Sequence, residues 1–171
     1  MTLIISACKD KLSELEFVLP IQKRVGECMV KHCSKVTGAD IAKAKRIIIT
    51  GTALKDFDYL KADFGWLKTV DKPVLGICAG MQVIAQAFGI PLEDFVTIGP
   101  RKVTVVKENA LAEGEFEAYF LHTKTATTGF DVLATTDDKP RMVQVKGKRI
   151  YGCIFHPEVM NEGILKNFVR A

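Results

Sequence analysis

The sequence predicts an α/β fold, a three-layer sandwich in which a mostly parallel, twisted central sheet is flanked by helices. Short runs of consecutive apolar residues alternate with amphipathic segments through the first half of the chain. Strands that are apolar at every position are buried on both faces, which is typical of a parallel sheet covered by helices.

Length and composition indicate one globular domain, which we expect to span residues 1–171. The chain has 171 residues, of which 48% are hydrophobic and 26% are charged. A chain of this size buries about 70% of the surface that its unfolded form exposes, so it can build its own core. No repeat, linker or low-complexity segment divides the sequence.

The apolar runs in the first half of the chain predict its strands and helices. Leu3–Ser6 is a predicted strand, and a capping-box pattern at Ser13–Glu16 predicts that a helix begins there. Arg46–Thr50 and Pro73–Ile77 are predicted as further buried strands. Met81–Phe88 has the composition of a helix.

The second half changes character and is typical of short strands joined by turns. The predicted strands are Lys102–Lys107, Glu117–His122, Asp131–Ala134, Met142–Val145 and Arg149–Phe155. Lys146–Lys148 has the composition of a hairpin turn between the last two strands. We expect the chain to close with a helix from about Glu158 to Val169.

Charge and hydropathy exclude several classes of partner. The net charge is +4 and the basic residues are scattered, which does not indicate nucleic-acid binding. The densest basic cluster, Lys43, Lys45 and Arg46, is typical of a solvated helix end. No apolar run reaches the roughly 20 residues that a membrane-spanning helix needs. The oligomeric state is left open.

The cysteines and the first residues indicate a cytoplasmic protein. Met1–Cys8 lacks the basic leader and the apolar length of an export signal, so we expect reduced thiols. Cys28 and Cys33 flank His32, but no second pair has zinc-type spacing. We therefore expect no bound metal or cofactor, and inert buried thiols at every cysteine except Cys78.

The segment that carries chemistry is Gly76–Gly80, in which a buried strand leads through Gly-x-Cys-x-Gly into a helix. This is the pattern of a nucleophile elbow, with Cys78 as the nucleophile. The helix N-terminus favours the thiolate form of such a cysteine. The backbone N–H of Ala79 would point at a developing oxyanion. Taken alone, an ordinary turn that holds a buried cysteine explains the segment equally well.

A second candidate segment is His156–Pro157–Glu158. Proline biases the preceding residue toward an extended backbone, in which residues two apart project to the same side. His156 and Glu158 can thus form a general base oriented by a carboxylate. A lone histidine before proline is more often a capping or core residue, but the cysteine elbow in the same chain favours the catalytic interpretation.

Together, residues 76–82 and 151–159 resemble the nucleophile motif and the His/Glu motif of the class I (triad-type) glutamine amidotransferases. The order and separation of the two motifs match the family. The resemblance implies a catalytic triad of Cys78, His156 and Glu158. It extends over essentially the whole chain.

Three further segments are similar to the family's substrate-binding parts. The turn at Gly51 and Thr52 resembles the one that supplies the second oxyanion N–H, beside that of Ala79. His122 and Thr123 resemble the segment whose backbone grips glutamine. Gln82 matches a substrate-contacting glutamine, although it could instead hydrogen-bond neighbouring backbone.

Lys124 departs from the family pattern. Many members carry an acidic residue there that pairs with the substrate's α-ammonium group, which a lysine would repel. Either the loop is shifted, or another acid such as Asp131 substitutes, or the substrate is not ordinary glutamine.

The function that the resemblance implies is glutamine hydrolysis through a Cys78 γ-glutamyl thioester. The ammonia would pass to a separate ATP-dependent synthetase, such as a GMP synthase-type partner. Two alternatives stay open: a stand-alone amidase or γ-glutamyl hydrolase with the same triad, and a non-catalytic regulatory homologue.

Overall fold

A computed structural model describes all residues, 1–171, and confirms the predicted α/β class. The nine strands are β1 (Thr2–Ser6), β2 (Cys28–His32), β3 (Arg46–Ile49), β4 (Val74–Ile77), β5 (Glu93–Val105), β6 (Glu115–Thr125), β7 (Asp131–Thr136), β8 (Lys139–Gln144) and β9 (Ile150–Cys153). They form one sheet in the order β2-β1-β3-β4-β9-β8-β7-β5-β6.

The sheet is mixed, with a parallel half and an antiparallel half. The pairs β2–β1, β1–β3, β3–β4 and β4–β9 are parallel. The pairs from β9 through β8, β7 and β5 to β6 are antiparallel. Because parallel strands end on the same side, the residues that follow β1, β3, β4 and β9 gather at one edge of the sheet.

Helices cover the sheet in two groups. They are α1 (Glu14–Phe17), α2 (Leu19–Val25), α3 (Gly38–Lys43), α4 (Ala79–Ala87), α5 (Pro157–Met160) and α6 (Glu162–Arg170). Helices α1, α2, α5 and α6 pack together, whereas α4 packs on β3, β4 and β9. Because crossovers between parallel strands are almost always right-handed, we expect these two groups on opposite faces of the sheet. None of the helices combines the length and the apolar character of a membrane span.

The uninterrupted apolar strands are buried on both faces, as predicted. Ile47, Ile48 and Ile49 of β3 have no exposed surface, and neither do Leu75 and Ile77 of β4. These side chains belong to the one buried hydrophobic cluster of the chain. The edge at which β3 and β4 end is therefore supported by strands that are fully buried.

The predicted capping box at Ser13 is wrong. Its backbone is already helical, and its side chain makes no capping hydrogen bond. The helix ends at Phe17 because Pro20, in the first turn of α2, has no N–H to continue the ladder. A reciprocal capping box exists instead at Thr37 and Asp40, where α3 begins.

Two element bounds also differ from the prediction. The final helix is divided at Asn161, whose side-chain amide donates to the Glu117 carbonyl at 2.9 Å. Strand β5 begins at Glu93, well before Lys102, although it contains Pro100. It pairs with β7 only near its end, so the missing N–H of Pro100 leaves no ladder bond unmade.

Candidate active site

Three neighbouring parallel strands deliver the predicted site residues to one edge. Gly51 follows β3, Cys78 follows β4, and His156 follows β9. A Cβ placed on Gly51 would lie 2.6 Å from His156 Cε1 and 3.5 Å from Cys78 Cβ. The structure therefore brings together segments that lie far apart in the sequence, and the turn at Gly51 has room only for glycine.

Cys78 occupies a sharp strand-to-helix turn. Its backbone has φ 48° and ψ −100°, a positive φ that non-glycine residues seldom adopt. Its N–H donates to the Cys153 carbonyl at 2.7 Å, and helix α4 begins at the next residue. The side chain lies 3.5 Å from the Leu121 carbonyl oxygen. The turn thus holds the thiol at the N-terminus of a buried helix.

The two glycines beside Cys78 are required by close backbone packing. A Cβ on Gly76 would lie 2.5 Å from the carbonyl carbon and oxygen of Gly80. A Cβ on Gly80 would lie 2.3 Å from the Ile49 carbonyl oxygen. The two glycines of the Gly-x-Cys-x-Gly pattern are therefore needed for the close packing of α4 against β4 and β3, as well as for the turn.

His156 and Glu158 form a buried hydrogen-bonded pair. His156 Nδ1 lies 2.7 Å from Glu158 Oε1, and both side chains are 1% exposed. His156 has the extended backbone that Pro157 favours, and its N–H donates to the Tyr119 carbonyl. The Phe17 ring packs against the imidazole at a centroid distance of 5.6 Å. Phe17 and the carboxylate together fix the orientation of the ring.

The electrostatics of this pair favour a protonated imidazole. Burial by itself lowers the pKa of His156, but the Cys78 sulfur and the Glu158 carboxylate outweigh burial and raise that pKa well above its ordinary value. Because Nδ1 faces Glu158, the second ring proton is on Nε2, which makes no hydrogen bond within the protein. Nε2 is therefore the ring nitrogen that is free to exchange a proton with a substrate.

The other cysteine thiols differ from Cys78 in their surroundings. Burial raises the pKa of Cys8 to about 11 and also raises the pKa values of Cys33 and Cys153. Cys28 is only half-buried, so the prediction that every thiol except that of Cys78 is buried and inert is wrong for Cys28. Cys28 and Cys33 do not form part of a metal-ligand cluster.

A small pocket opens in front of Cys78. Ala79, Thr52 and Thr123 line it, and its free volume of about 10 Å³ holds roughly one water molecule. Ala79 is the first residue of α4, so its N–H has no partner inside the helix. The Thr52 hydroxyl donates to Asp56 at 2.6 Å, which holds the turn after β3 in place.

Gln82 lines the same pocket, but protein groups already bind its amide. The Tyr59 hydroxyl donates to Gln82 Oε1, and Gln82 Nε2 donates to the Lys124 carbonyl at 2.9 Å. Of the two roles predicted for Gln82, the structure shows the one in which its amide hydrogen-bonds to backbone. A substrate would contact Gln82 only after exchanging one of these bonds, and the pocket must widen to admit a glutamine side chain.

The charged group of Lys124 does not line the pocket. Its Nζ pairs with Asp94 at 2.6 Å. Asp131 pairs with Lys107 at 3.7 Å and is also absent from the pocket walls. The repulsion expected from Lys124 is therefore reduced by a partner, and Asp131 does not replace the missing acid.

His122 lies beside the pocket with its ring buried. The ring is stacked near Phe95 and tilted against Phe120, so its backbone and not its imidazole is available to a substrate. Burial and the nearby Arg141 guanidinium lower the pKa of His122 from 6.5 to about 4.

This shift predicts a contribution of His122 to acid unfolding. Between pH 6.5 and 4 the unfolded chain binds a proton at His122 that the folded chain rejects, so stability falls as the pH falls. The part of this stability change that falls between pH 7 and pH 4.5 is about 2–3 kcal/mol. Urea unfolding at both pH values measures this. The free energy of unfolding of His122→Phe should fall by about 2–3 kcal/mol less between pH 7 and pH 4.5 than that of the original chain. An equal loss in both proteins would contradict the assignment.

Three residues of this region carry no sequence signal. Tyr59, Asp56 and Phe17 hold Gln82, Thr52 and His156, respectively. None of the three belongs to a recognisable motif, and only their position in the folded chain identifies them.

The chain is similar in sequence to proteins of one family. The family model described as glutamine amidotransferase class-I matches residues 34–170. A subunit of the glutamine-hydrolysing GMP synthase of Methanocaldococcus jannaschii is 39% identical over 112 residues, which cover 58% of this chain and 60% of that protein. The glutamine-hydrolysing GMP synthase of Aquifex aeolicus is 32% identical over 110 residues, or 57% of this chain and 22% of that protein.

Solved structures share the fold. A Thermoplasma acidophilum protein described as a GMP synthase subunit superimposes with a TM-score of 0.82 at 19% identity, over 99% of this chain and 92% of that one. A Thermotoga maritima glutamine amidotransferase superimposes with a TM-score of 0.69 at 16% identity, over 92% and 76% of the two chains. The matched part spans less than two thirds of the curated relatives' own length.

Proposed function

Because the chain belongs to the class-I glutamine amidotransferase family, we propose that it hydrolyses glutamine to glutamate and ammonia with Cys78, His156 and Glu158 as a catalytic triad. The observation that carries the proposal is the arrangement of a buried, carboxylate-oriented imidazole beside a cysteine on a strand-to-helix elbow. The motifs of the sequence and the geometry of the folded chain favour the same three residues.

The proposed first step forms a bond between Cys78 Sγ and the side-chain amide carbon of glutamine. The backbone N–H groups of Ala79 and Gly51 would stabilise the negative oxygen of the tetrahedral intermediate. As the C–N bond breaks, His156 Nε2 gives its proton to the departing nitrogen, which leaves as ammonia. A γ-glutamyl thioester on Cys78 remains.

The second step removes the glutamyl group. His156, now neutral, takes a proton from water, and the resulting hydroxide attacks the thioester carbon. The C–S bond then breaks, glutamate leaves, and the thiolate and the protonated imidazole are restored. Glu158 stabilises the imidazolium in both steps, because its carboxylate accepts the Nδ1–H.

We further propose that the ammonia is delivered to a separate ATP-dependent synthetase and that residues 1–171 form one domain. One hydrophobic cluster and one sheet run through the chain, which supports a single unit. Relatives named as a GMP synthase subunit and as a longer GMP synthase support a partner of that type.

The test of the triad is Glu158→Gln, which keeps the shape of the side chain and removes its charge. The neutral amide no longer fixes the Nδ1–H tautomer or stabilises the imidazolium. We expect kcat for glutamate release to fall by about 100-fold or more, with a small change in KM. Glu162→Gln is a matched control, because its carboxylate pairs with Lys166 and Arg24 on the surface.

A kcat of Glu158→Gln within a few-fold of the original chain would contradict the role of the carboxylate. If the chain shows no glutamate release, alone or with a co-purified ATP-dependent partner, the glutaminase proposal fails.

A further inference from the structure

A second and larger cavity opens at the same edge of the sheet, beyond the carboxyl ends of β1 and β2. It has a volume of about 270 Å³, compared with about 10 Å³ for the pocket in front of Cys78. Ala7, Cys33 and Ala62 form apolar parts of its wall, and the Tyr59 side chain separates it from the Cys78 pocket. Open α/β sheets bind their ligands in such crevices at the carboxyl ends of the strands.

The charges at this cavity are unbalanced. Lys9 Nζ and Lys61 Nζ approach the same carboxylate, that of Asp58, at 3.6 and 3.5 Å. One carboxylate thus serves two ammonium groups, at distances longer than those of a strong charge-assisted hydrogen bond. Asp58 therefore neutralises only part of the positive charge of the two lysines, whose ammonium groups stay largely exposed to solvent and can turn toward a ligand.

An adjoining groove extends the positive charge. It shares Lys9 and His32 with the cavity, and its walls add Lys11, Lys31 and Lys35 against the single carboxylate of Glu14. Lys31 pairs with Asp40 at 3.7 Å. These lysines come from separate parts of the chain, which is why the sequence shows only scattered basic residues.

The remaining wall is polar and held in one arrangement. His32 Nδ1 accepts from the Ser34 N–H at 3.2 Å, so the ring proton lies on Nε2, which donates to the Cys8 carbonyl at 3.1 Å. The Ser34 hydroxyl lies 2.7 Å from the same Nδ1. This wall adds no negative charge, so the negative charges nearest an anion in the cavity are those of Asp58 and of Asp56, which accepts the Lys9 N–H at 2.7 Å.

We propose that this cavity is a binding site for a small phosphate-bearing anion, held by Lys9 and Lys61. Lysine binds phosphate as a point charge, and two lysines that meet at the two oxygens of one carboxylate lie close enough together to share a group with two negative charges. The apolar wall beside Tyr59 can receive an organic part attached to the phosphate. The proposal does not depend on the reaction at Cys78.

The test is titration calorimetry of the full chain at low ionic strength with inorganic phosphate, pyrophosphate and a nucleoside monophosphate. We expect saturable binding that weakens about tenfold in Lys9→Gln/Lys61→Gln, because two charged contacts are lost. Lys43→Gln/Lys146→Gln removes the same charge from exposed positions elsewhere and should bind as the original chain does. Binding should persist in Cys78→Ala, which separates this site from the proposed catalysis.

The three ligands distinguish the possible sources of the phosphate. Tightest binding of the nucleoside monophosphate would show that the apolar wall takes part, and equal binding of inorganic phosphate would restrict the site to the two lysines. The proposal is overturned if none of the three ligands binds saturably, or if both double variants weaken binding equally. It is also overturned if an oligoglutamate peptide binds and the three ligands do not, because the surface would then be a docking site for an acidic protein segment. Circular dichroism melting of both double variants checks that they fold.

Discussion

Replacing Cys78 with alanine should reduce the release of glutamate from glutamine by at least about 10⁴-fold. Alanine removes the only atom that can form the thioester, and no neighbouring thiol can take its place, because burial raises the pKa values of Cys8 and Cys153. The variant should keep its fold, since it loses one sulfur atom and gains no new atom that must be packed. A coupled assay for glutamate, with and without a partner fraction, measures the effect.

Cys28→Ala is the matched control, because Cys28 is a half-buried free thiol on β2, away from the pocket. It should keep nearly full activity. A glutamine-mimicking diazo-ketone should label Cys78 in the original chain and leave Cys28 and Cys153 unmodified. If Cys78→Ala retains as much as about a tenth of the activity, Cys78 is not the nucleophile.

Gly80→Ala should destabilise the protein by about 3 kcal/mol or more and abolish activity. The added Cβ would lie 2.3 Å from the Ile49 carbonyl oxygen and 3.0 Å from its carbonyl carbon. Both are backbone atoms, so no side-chain rotation relieves the overlap. Helix α4 would have to move away from β3, and Cys78 would move with it. Urea unfolding and the glutamate assay measure the two effects.

Gly163→Ala is the control for the glycine substitution. Gly163 lies on α6, and a Cβ there meets no atom within 4 Å. Alanine should stabilise that helix by about 0.5–1 kcal/mol. If Gly80→Ala unfolds at the same urea concentration as the original chain, the close contact between α4 and β3 is not real.

The parts of the site that the sequence predicts are those that are local in the chain. Gly76, Cys78 and Gly80 lie on one turn, and His156 and Glu158 are two residues apart. The geometry of the elbow follows from the turn, but the extended strand predicted for the His156/Glu158 pair is wrong beyond His156, because Glu158 lies in the first turn of α5, which begins at Pro157. The buried apolar strands predict the parallel half of the sheet because their pattern is also local in the chain.

The parts that could not be predicted depend on contacts between distant segments. Tyr59 reaches Gln82 across 23 positions, and Lys124 reaches Asp94 across 30 positions. Neither contact leaves a periodic pattern in the sequence. The false capping box at Ser13 has a local cause, because a 3-10 turn at Lys11–Ser13 already gives Ser13 a helical backbone, whereas an N-cap residue needs an extended one.

The most direct measurement for the central proposal is mass spectrometry of the chain quenched in acid during glutamine turnover. Covalent catalysis predicts that the peptide containing Cys78 gains the mass of a glutamyl group and loses it on treatment with hydroxylamine, which cleaves thioesters. Glu158→Gln should form this adduct more slowly. Release of glutamate with no adduct on Cys78 at any time, or with the adduct on another cysteine, would contradict the proposal.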